Sequence, residues 1–211
     1  MSNIPETKKL SRKEREAAWR RSEIIEAAGR LFVSKGYEAT SIHEIADASE
    51  FSVGTLYNFF ENKEDIYFAV IEAEMADFYN RCKEALSSAD GPVLKLEGFA
   101  RAYFEFVLDK KETVKRFWHE IGGFVWGVRK RLFERLQRSG HLPLRLLEPV
   151  LDEARAQGIT QDADSREQAI VFRGMCFSYF FIWFQSGEEM DLLSYAPVVV
   201  KRFLEGFGRR G

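Results

Sequence analysis

The spacing of apolar residues constrains the fold of this chain more than any other feature. Along almost the whole sequence, apolar residues recur three and four positions apart, and no run of alternating β-branched residues occurs. Such spacing puts apolar side chains on one face of an α-helix, whereas a half-buried strand needs strict alternation. We therefore predict an all-α chain. Its 45% of hydrophobic residues and net charge of −2 exclude a disordered chain.

Capping and breaking residues predict where the helices begin and end. Capping boxes start at Ser11 and Ser41, Gly36 closes the first helix, and Asn62 precedes a long one. The predicted helices are 11–35, 42–49, 53–60, 63–86, 93–108, 111–138 with an interruption at Gly122 and Gly123, 151–156, 163–186 and 190–207, with a bend or offset helix at 139–149. We place a domain boundary on the long helix, between residues 1–66 and 67–211.

Three features of the sequence bear on the cellular compartment: the cysteines, the N-terminal residues and one apolar segment. The two cysteines, Cys82 and Cys176, are too few for a disulfide scaffold or a four-thiolate zinc site. The N-terminal residues are polar from the start, so we expect no signal peptide and a cytoplasmic protein. The apolar segment 169–184 contains Arg173 and is shorter than the roughly 20 residues that a bilayer requires. We expect no membrane span there but a subunit interface.

Charge is distributed unevenly along the chain. Residues 1–35 carry nine Lys and Arg against five Glu, and residues 110–145 carry ten against three. We interpret the second cluster, centred on Arg129, Lys130 and Arg131, as a solvated helix face. The first cluster fits either a solvated face or a basic N-terminal arm that follows phosphates. The near-neutral total therefore hides a locally basic N-terminal end.

Residues 40–60, TSIHEIADASEFSVGTLYNFF, have the pattern of a helix-turn-helix. Two short helices are joined by a short turn, and Ile42, Ile45, Ala46, Phe51 and Leu56 are spaced to face inward. In such a motif the first helix lies against the phosphate backbone and the second reads the major groove. An ordinary helical hairpin also fits this spacing, so the spacing alone leaves both possibilities open.

The residues themselves narrow the choice. The segment IIEAAGRLFVSKGYEATSIHEIADASEFSVGTLYNFFENKEDIYFAVI, residues 24–71, resembles the DNA-binding domain of the TetR (tetracycline repressor) family in its Ala-x-x-Leu-Phe, Gly-Tyr-x-x-Thr-Ser-Ile, Ser-x-Gly-Thr-Leu-Tyr-x-x-Phe and Lys-Glu-Asp motifs. The resemblance implies an N-terminal three-helix helix-turn-helix DNA-binding domain and a C-terminal helical ligand-binding and dimerisation domain.

The resemblance also implies roles for single residues. Thr40 and Ser41 match the cap beside a phosphate, and Lys63 matches a phosphate-holding lysine. Val53 and Thr55 match base-reading positions, and Val53 suits a thymine methyl group. The full implied DNA-binding set is Thr40, Ser41, His43, Ser52, Val53, Gly54, Thr55, Tyr57, Asn58 and Lys63; for His43, a neutral surface histidine is the alternative.

One departure from the family pattern falls in the turn. Ser49 and Glu50 stand where the family usually has Ala-Gly. A glutamate in the left-handed backbone conformation costs on the order of 1 kcal/mol relative to glycine. We therefore expect that the turn has a different shape here.

Aromatic residues are concentrated in the second half, where the resemblance implies a pocket for a small hydrophobic effector. The candidate lining is Phe104, Phe117, Trp118, His119, Phe124, Trp126, Phe177, Phe180 and Trp183. A large helical core is the alternative reading for each of them. The resemblance further implies a homodimer through helices 163–186 and 190–207, a pseudo-palindromic operator in double-stranded DNA, and a repressor that the effector releases.

Two other classes of protein fit less well. The three histidines lie on separate segments, and no phosphate loop or Ser/His/Asp arrangement is visible, so we expect no enzyme, catalytic residue, metal or cofactor. A helical interaction module without DNA binding would not need Gly54, Thr55, Leu56 and Tyr57 beside Lys63.

Overall fold

Helices make up most of the chain that the structure describes. A computed structural model describes residues 11–116, 126–139 and 142–207. No β-strand occurs in these ranges, which confirms the all-α prediction. The chain divides into two compact units, with the boundary between Ile71 and Glu72. None of the described helices is both long and apolar enough to cross a membrane.

The first unit is built on three helices and the start of a fourth. These are α1 (Arg12–Lys35), α2 (Ile42–Ala48), α3 (Val53–Tyr57) and the beginning of α4 (Lys63–Ser87). Ser11 forms the predicted capping box with Glu14. Gly36 ends α1 with φ +90°, and its N–H donates to the carbonyl of Phe32 over 2.9 Å. The largest fully buried side chains are Ile24, Phe32, Ile45, Leu56, Ile66 and Tyr67.

The second unit continues α4 and adds a helical body. Its elements are α5 (Pro92–Asp109), α6 (Trp126–Ser139), α7 (Leu144–Ala156), α8 (Ser165–Gln185), a 3₁₀-helix (Leu192–Tyr195) and α9 (Ala196–Phe207). Its core is rich in phenylalanine: Phe99, Phe104, Phe172 and Phe203 are fully buried, and Phe172 packs edge-on against Phe203. Residues 111–116 are also helical. The predicted break at Gly122 and Gly123 lies outside the described residues.

Some helix boundaries differ from the predicted ones. Helix α3 ends at Tyr57 instead of residue 60, because Asn58 is its C-cap. Helix α7 begins at Leu144 and runs through Pro149, so that, of the bend or offset helix expected at 139–149, the structure has a helix from residue 144 onward. The last predicted helix is divided, since a 3₁₀-helix precedes α9.

The basic residues between 110 and 145 are more than the solvated face that we expected. Lys110 pairs with Glu74 over 3.3 Å, and Arg135 pairs with Glu72 over 2.7 Å. Lys111 and Lys115 both pair with Glu188. Acidic residues distant in sequence therefore neutralise part of this cluster, which periodicity alone does not show.

Candidate nucleic-acid interface

Side-chain caps fix the starts of the two short helices. At Ser41, the hydroxyl accepts a hydrogen bond from the Glu44 N–H (3.2 Å), and the Glu44 carboxylate accepts one from the Ser41 N–H (2.9 Å). At Ser52, the hydroxyl accepts from the Thr55 N–H over 3.1 Å. Each cap satisfies N–H groups that a short helix leaves unbonded. Short helices such as α2 and α3 form few backbone hydrogen bonds of their own, so the caps are needed to stabilise them.

The turn between α2 and α3 has a left-handed residue at its centre. Glu50 has φ +58°, and the N–H of Phe51 donates to the carbonyl of Ala46 over 3.0 Å. The hydroxyl of Ser49 donates to the carbonyl of Ile45 over 2.7 Å. The expectation of a differently shaped turn is therefore wrong: Glu50 adopts the strained conformation that a glycine would adopt easily.

Helix α3 presents a small exposed surface. Tyr57 is 56% exposed, Gly54 and Asn58 are exposed, and Val53 and Thr55 are partly buried. A Cβ placed on Gly54 would meet the Ser52 hydroxyl only at 3.8 Å. Because glycine has no side chain, a partner can come close to the helix backbone at Gly54. The hydroxyls of Ser52 and Thr55 lie 2.9 Å apart and hydrogen-bond to each other.

Two residues of the implied DNA-binding set are engaged inside the unit. Thr40 is buried, and its hydroxyl donates to the carbonyl of Gly36 over 2.8 Å. The Lys63 ammonium donates to the carbonyls of Tyr37 and Thr40 over 2.8 and 2.9 Å. The cap of α2 is therefore Ser41 alone, and the Thr40 side chain does not face the surface. His43 and Ser41 are exposed.

Charges around α2 are arranged in pairs. The Lys35 ammonium donates to the Glu44 carboxylate. This hydrogen bond, followed by those from the backbone and side chain of Ser41, lowers the pKa of Glu44 to about 2. On α1, Arg20 pairs with Glu16, and the Arg21 guanidinium lies 5.0 Å from the centre of the Phe60 ring.

The remaining cations of the first cluster are only partly described. Arg12, Lys13 and Arg15 are exposed on the first turns of α1. Lys8 and Lys9, the rest of the expected arm, lie outside the described residues.

The candidate effector-binding residues fall into two groups. Phe104, Phe180 and Trp183 are buried in the core of the second unit, and the partly buried Phe177 ring lies 5.7 Å from that of Phe180. Phe117, Trp118, His119 and Phe124 lie outside the described residues, as does the side chain of Trp126. A cleft of about 370 Å³ opens elsewhere and is polar; it is lined by Asp152, Arg155, Ala156, Gly158, Thr160 and Asp162. None of the four described candidates, Phe104, Phe177, Phe180 and Trp183, lines that cleft.

With the helix-turn-helix geometry in place, comparison with known proteins identifies the family that this region matches. Residues 24–70 match the model of bacterial regulatory proteins of the tetR family. The first unit therefore contains the DNA-binding region of that family. The match covers both short helices, the turn and the start of α4, which are the elements that carry the candidate interface. The matching family and the relatives described below are regulators and not enzymes, in agreement with the expectation from the sequence.

Individual TetR relatives match over different lengths. The transcriptional repressor KstR2 of Mycolicibacterium smegmatis is 32% identical over 90 residues, covering 43% of this chain and 44% of the repressor. The chain thus spans less than half the length of the first curated relatives that it matches. The fatty acid metabolism regulator of Bacillus subtilis is 23% identical and matches over 87% of this chain and 93% of its own.

Solved structures extend the similarity of fold to the second unit. FadR from Bacillus halodurans, a fatty acid degradation regulator, aligns with a TM-score of 0.74 over 88% of this chain and 98% of its own, at 22% identity. FadR from Bacillus subtilis, solved in complex with stearoyl-CoA, aligns with the same TM-score and coverage at 21% identity. Both units therefore have the fold of TetR regulators.

Sequence reasoning missed the internal role of Lys63. The capping partner Glu44 is visible as a Ser-x-x-Glu pattern. The carbonyls that Lys63 contacts come from residues 23 and 26 positions earlier in the chain. Every residue has a carbonyl, so no local pattern indicates such a contact.

Proposed function

We propose that this TetR-family chain is a ligand-responsive DNA-binding transcriptional regulator that acts in the cytoplasm. The observation that carries the proposal is the capped helix α3, which exposes Tyr57, Asn58 and the backbone beside Gly54 within the family-matching segment. Exposed polar and aromatic side chains on a second helix of this type suit contacts to base edges and phosphates in the major groove. Val53, at the start of α3, suits a thymine methyl group.

Selection of bound duplexes from a random-sequence library tests the proposal. The wild-type protein is expected to enrich one motif, and Tyr57→Ala to weaken binding of that duplex by about 10-fold to 100-fold. Phe133→Ala is the matched control, because Phe133 is 57% exposed in the second unit and Tyr57 is 56% exposed in the first. Failure of the wild-type protein to enrich any sequence would refute specific DNA binding.

The exposed cations at the start of α1 support a phosphate-following arm. Arg12, Lys13 and Arg15 are exposed within the first four residues of α1. Each phosphate that they neutralise adds about 0.9 to the slope of log affinity against log salt concentration. Replacing all three by Gln is expected to reduce that slope, and an unchanged slope would exclude the arm.

The effector is proposed to be lipophilic, and a long-chain acyl-CoA is the first compound to test. One structural relative was solved with stearoyl-CoA, and the regulators similar in sequence include one of fatty acid metabolism. The second unit has the same fold and an aromatic interior that includes Phe104, Phe180 and Trp183. An effector of this class would shift the protein toward a conformation with weaker operator affinity and so relieve repression.

Titration of the DNA complex tests the effector class. Stearoyl-CoA is expected to raise the thermal midpoint of the protein and to release the selected duplex, whereas free CoA is expected to do neither. If only free CoA acts, the site recognises the nucleotide and not the acyl chain. If neither compound acts, this effector class is wrong while DNA binding still stands.

A homodimer through α8 and α9 is proposed as the DNA-binding form. Ile170 and Ile182 are exposed on α8, and a Cβ placed on Gly174 would meet no atom within 4 Å. This open, partly apolar face suits close packing of a second copy. A two-fold dimer would place two copies of α3 on half-sites of a pseudo-palindromic operator.

A further inference from the structure

We infer that Lys63 is a positioning residue of the DNA-binding unit and does not itself hold a phosphate. This inference rests on the proposed DNA-binding function. It departs from the role that the family resemblance implies for this lysine. The side chain lies at the first residue of α4, but its ammonium points back to the loop between α1 and α2.

The donors of the ammonium are already used inside the unit. A lysine has three N–H donors and no acceptor. The Lys63 ammonium lies 2.8 Å from the carbonyl oxygen of Tyr37, 2.9 Å from that of Thr40 and 3.3 Å from that of Glu38. It also lies 4.4 Å from the centre of the Tyr37 ring, within range of a cation–π contact. A phosphate contact would require at least one of these bonds to break.

The loop that Lys63 holds is anchored from other directions. The Tyr37 ring packs at 4.9 Å against Tyr67 and at 5.9 Å against Phe32. The buried hydroxyl of Thr40 donates to the carbonyl of Gly36, where α1 ends. Burial, with smaller contributions from Glu64 and Glu38, raises the pKa of the Tyr37 phenol, so the ring beside the ammonium stays neutral. Ring packing, the Thr40 hydroxyl and the Lys63 ammonium therefore all hold the same loop.

This loop leads directly to the residues that face the proposed DNA. Thr40, whose carbonyl accepts from Lys63, immediately precedes Ser41, which caps α2. His43 is exposed one residue into that helix. A shift of the loop would move the start of α2, and with it both of these surface residues. Lys63 thus affects DNA binding indirectly, because it fixes the positions of Ser41 and His43.

The experiment compares Lys63→Met and Lys63→Arg with the wild-type protein on the duplex that the wild-type protein selects. Met keeps most of the side-chain length but removes the charge. Arg keeps the charge and contacts phosphate well, but its planar fork cannot direct three donors to one cluster of carbonyls. Lys13→Met is the matched control for the thermal midpoint only, because it removes the same charge from an exposed position of the same unit but belongs to the proposed phosphate-following arm.

If Lys63 is a positioning residue, both Lys63 variants are expected to have a thermal midpoint about 5–10 °C below that of the wild-type protein. Both also bind about tenfold more weakly well below that midpoint, with the wild-type salt slope. Lys13→Met keeps the wild-type midpoint. Wild-type affinity in folded Lys63→Met would reduce the role to stability alone and overturn the inference.

A phosphate contact gives the opposite pattern. The salt slope of Lys63→Met then falls by about two for a dimer, and Lys63→Arg keeps the wild-type affinity. That result would also overturn the inference. If the wild-type protein selects no duplex, the proposed function fails, whereas the thermal midpoints still report whether Lys63 holds the loop.

Discussion

Glu50 has the least favourable backbone conformation among the residues of the helix-turn-helix. Its φ of +58° is one that L-residues other than Asn and Asp rarely adopt. Substitution by glycine removes a strain of roughly 1–2 kcal/mol and adds the extra entropy of glycine in the unfolded chain. We expect Glu50→Gly to raise the free energy of unfolding by about 0.5–1 kcal/mol, measured by chemical denaturation.

A neighbouring substitution controls for the general effect of glycine. Ala48 is exposed at the end of α2 and has ordinary helical geometry. Ala48→Gly is expected to lower the free energy of unfolding by about 1 kcal/mol. If both variants destabilise the protein, the left-handed conformation of Glu50 carries no strain.

Glu44 predicts a pH dependence at the same scale. Its pKa is lowered to about 2 by the hydrogen bonds from Lys35 and Ser41. A lowered folded pKa means that the stabilisation is complete above the ordinary value of 4.5 and is lost as pH falls toward 2. Wild type is therefore expected to be more stable than Glu44→Gln at pH 7, with the difference shrinking below pH 4.5. Carboxyl titration by NMR checks the pKa directly, and a value near 4.5 would contradict the cap geometry.

At the scale of elements, α7 carries a proline that interrupts its hydrogen bonding. Pro149 is exposed inside the helix and has no N–H to donate to the carbonyl of Arg145. Restoring that bond with Pro149→Ala is expected to raise the free energy of unfolding by about 1–3 kcal/mol. Calorimetric unfolding measures the change.

The matched control for α7 is a proline in a favourable position. Pro92 is the first residue of α5, where an N–H has no helical partner and the fixed φ suits the helix. Pro92→Ala is therefore expected to lower stability, because it also removes buried contacts. Equal effects of the two substitutions would show that position within the helix does not decide the cost.

For the whole molecule, the exposed face of α8 decides the oligomeric state. Ile170 is 48% exposed on the face that also contains Gly174, Phe177 and Phe181. We expect Ile170→Asp to weaken the dimer by about 100-fold or more, because a charged carboxylate would lose its water in the apolar contact between the two copies. Sedimentation velocity over a range of protein concentrations gives the dissociation constant.

Leu94 provides the control for α8. It is 55% exposed on α5, which is not one of the two proposed seam helices, so Leu94→Asp is expected to leave the dimer unchanged. A wild-type protein that sediments as a monomer at micromolar concentration would refute the seam altogether.

The sequence by itself determined the helical class, the resemblance of the N-terminal region to the TetR family, and most helix boundaries. Apolar spacing and capping residues are local signals, and they predicted the caps Ser11 and Ser41, the stop at Gly36 and the paired short helices. Motif residues such as Gly54 and Tyr57 carry the family resemblance at fixed positions. These features were readable because each depends on neighbours within a few residues.

Only the tertiary structure decided which polar side chains are free to meet a partner. Thr40 and Lys63 carry the family pattern, yet one is buried and the other binds backbone carbonyls of the preceding loop. Glu50 adopts a left-handed backbone conformation that is unfavourable for glutamate, because the caps and core around it fix the shape of the turn. Residue type does not indicate a contact with backbone carbonyls that are distant in sequence, because every residue has a carbonyl. Such contacts can therefore be identified only in the tertiary structure.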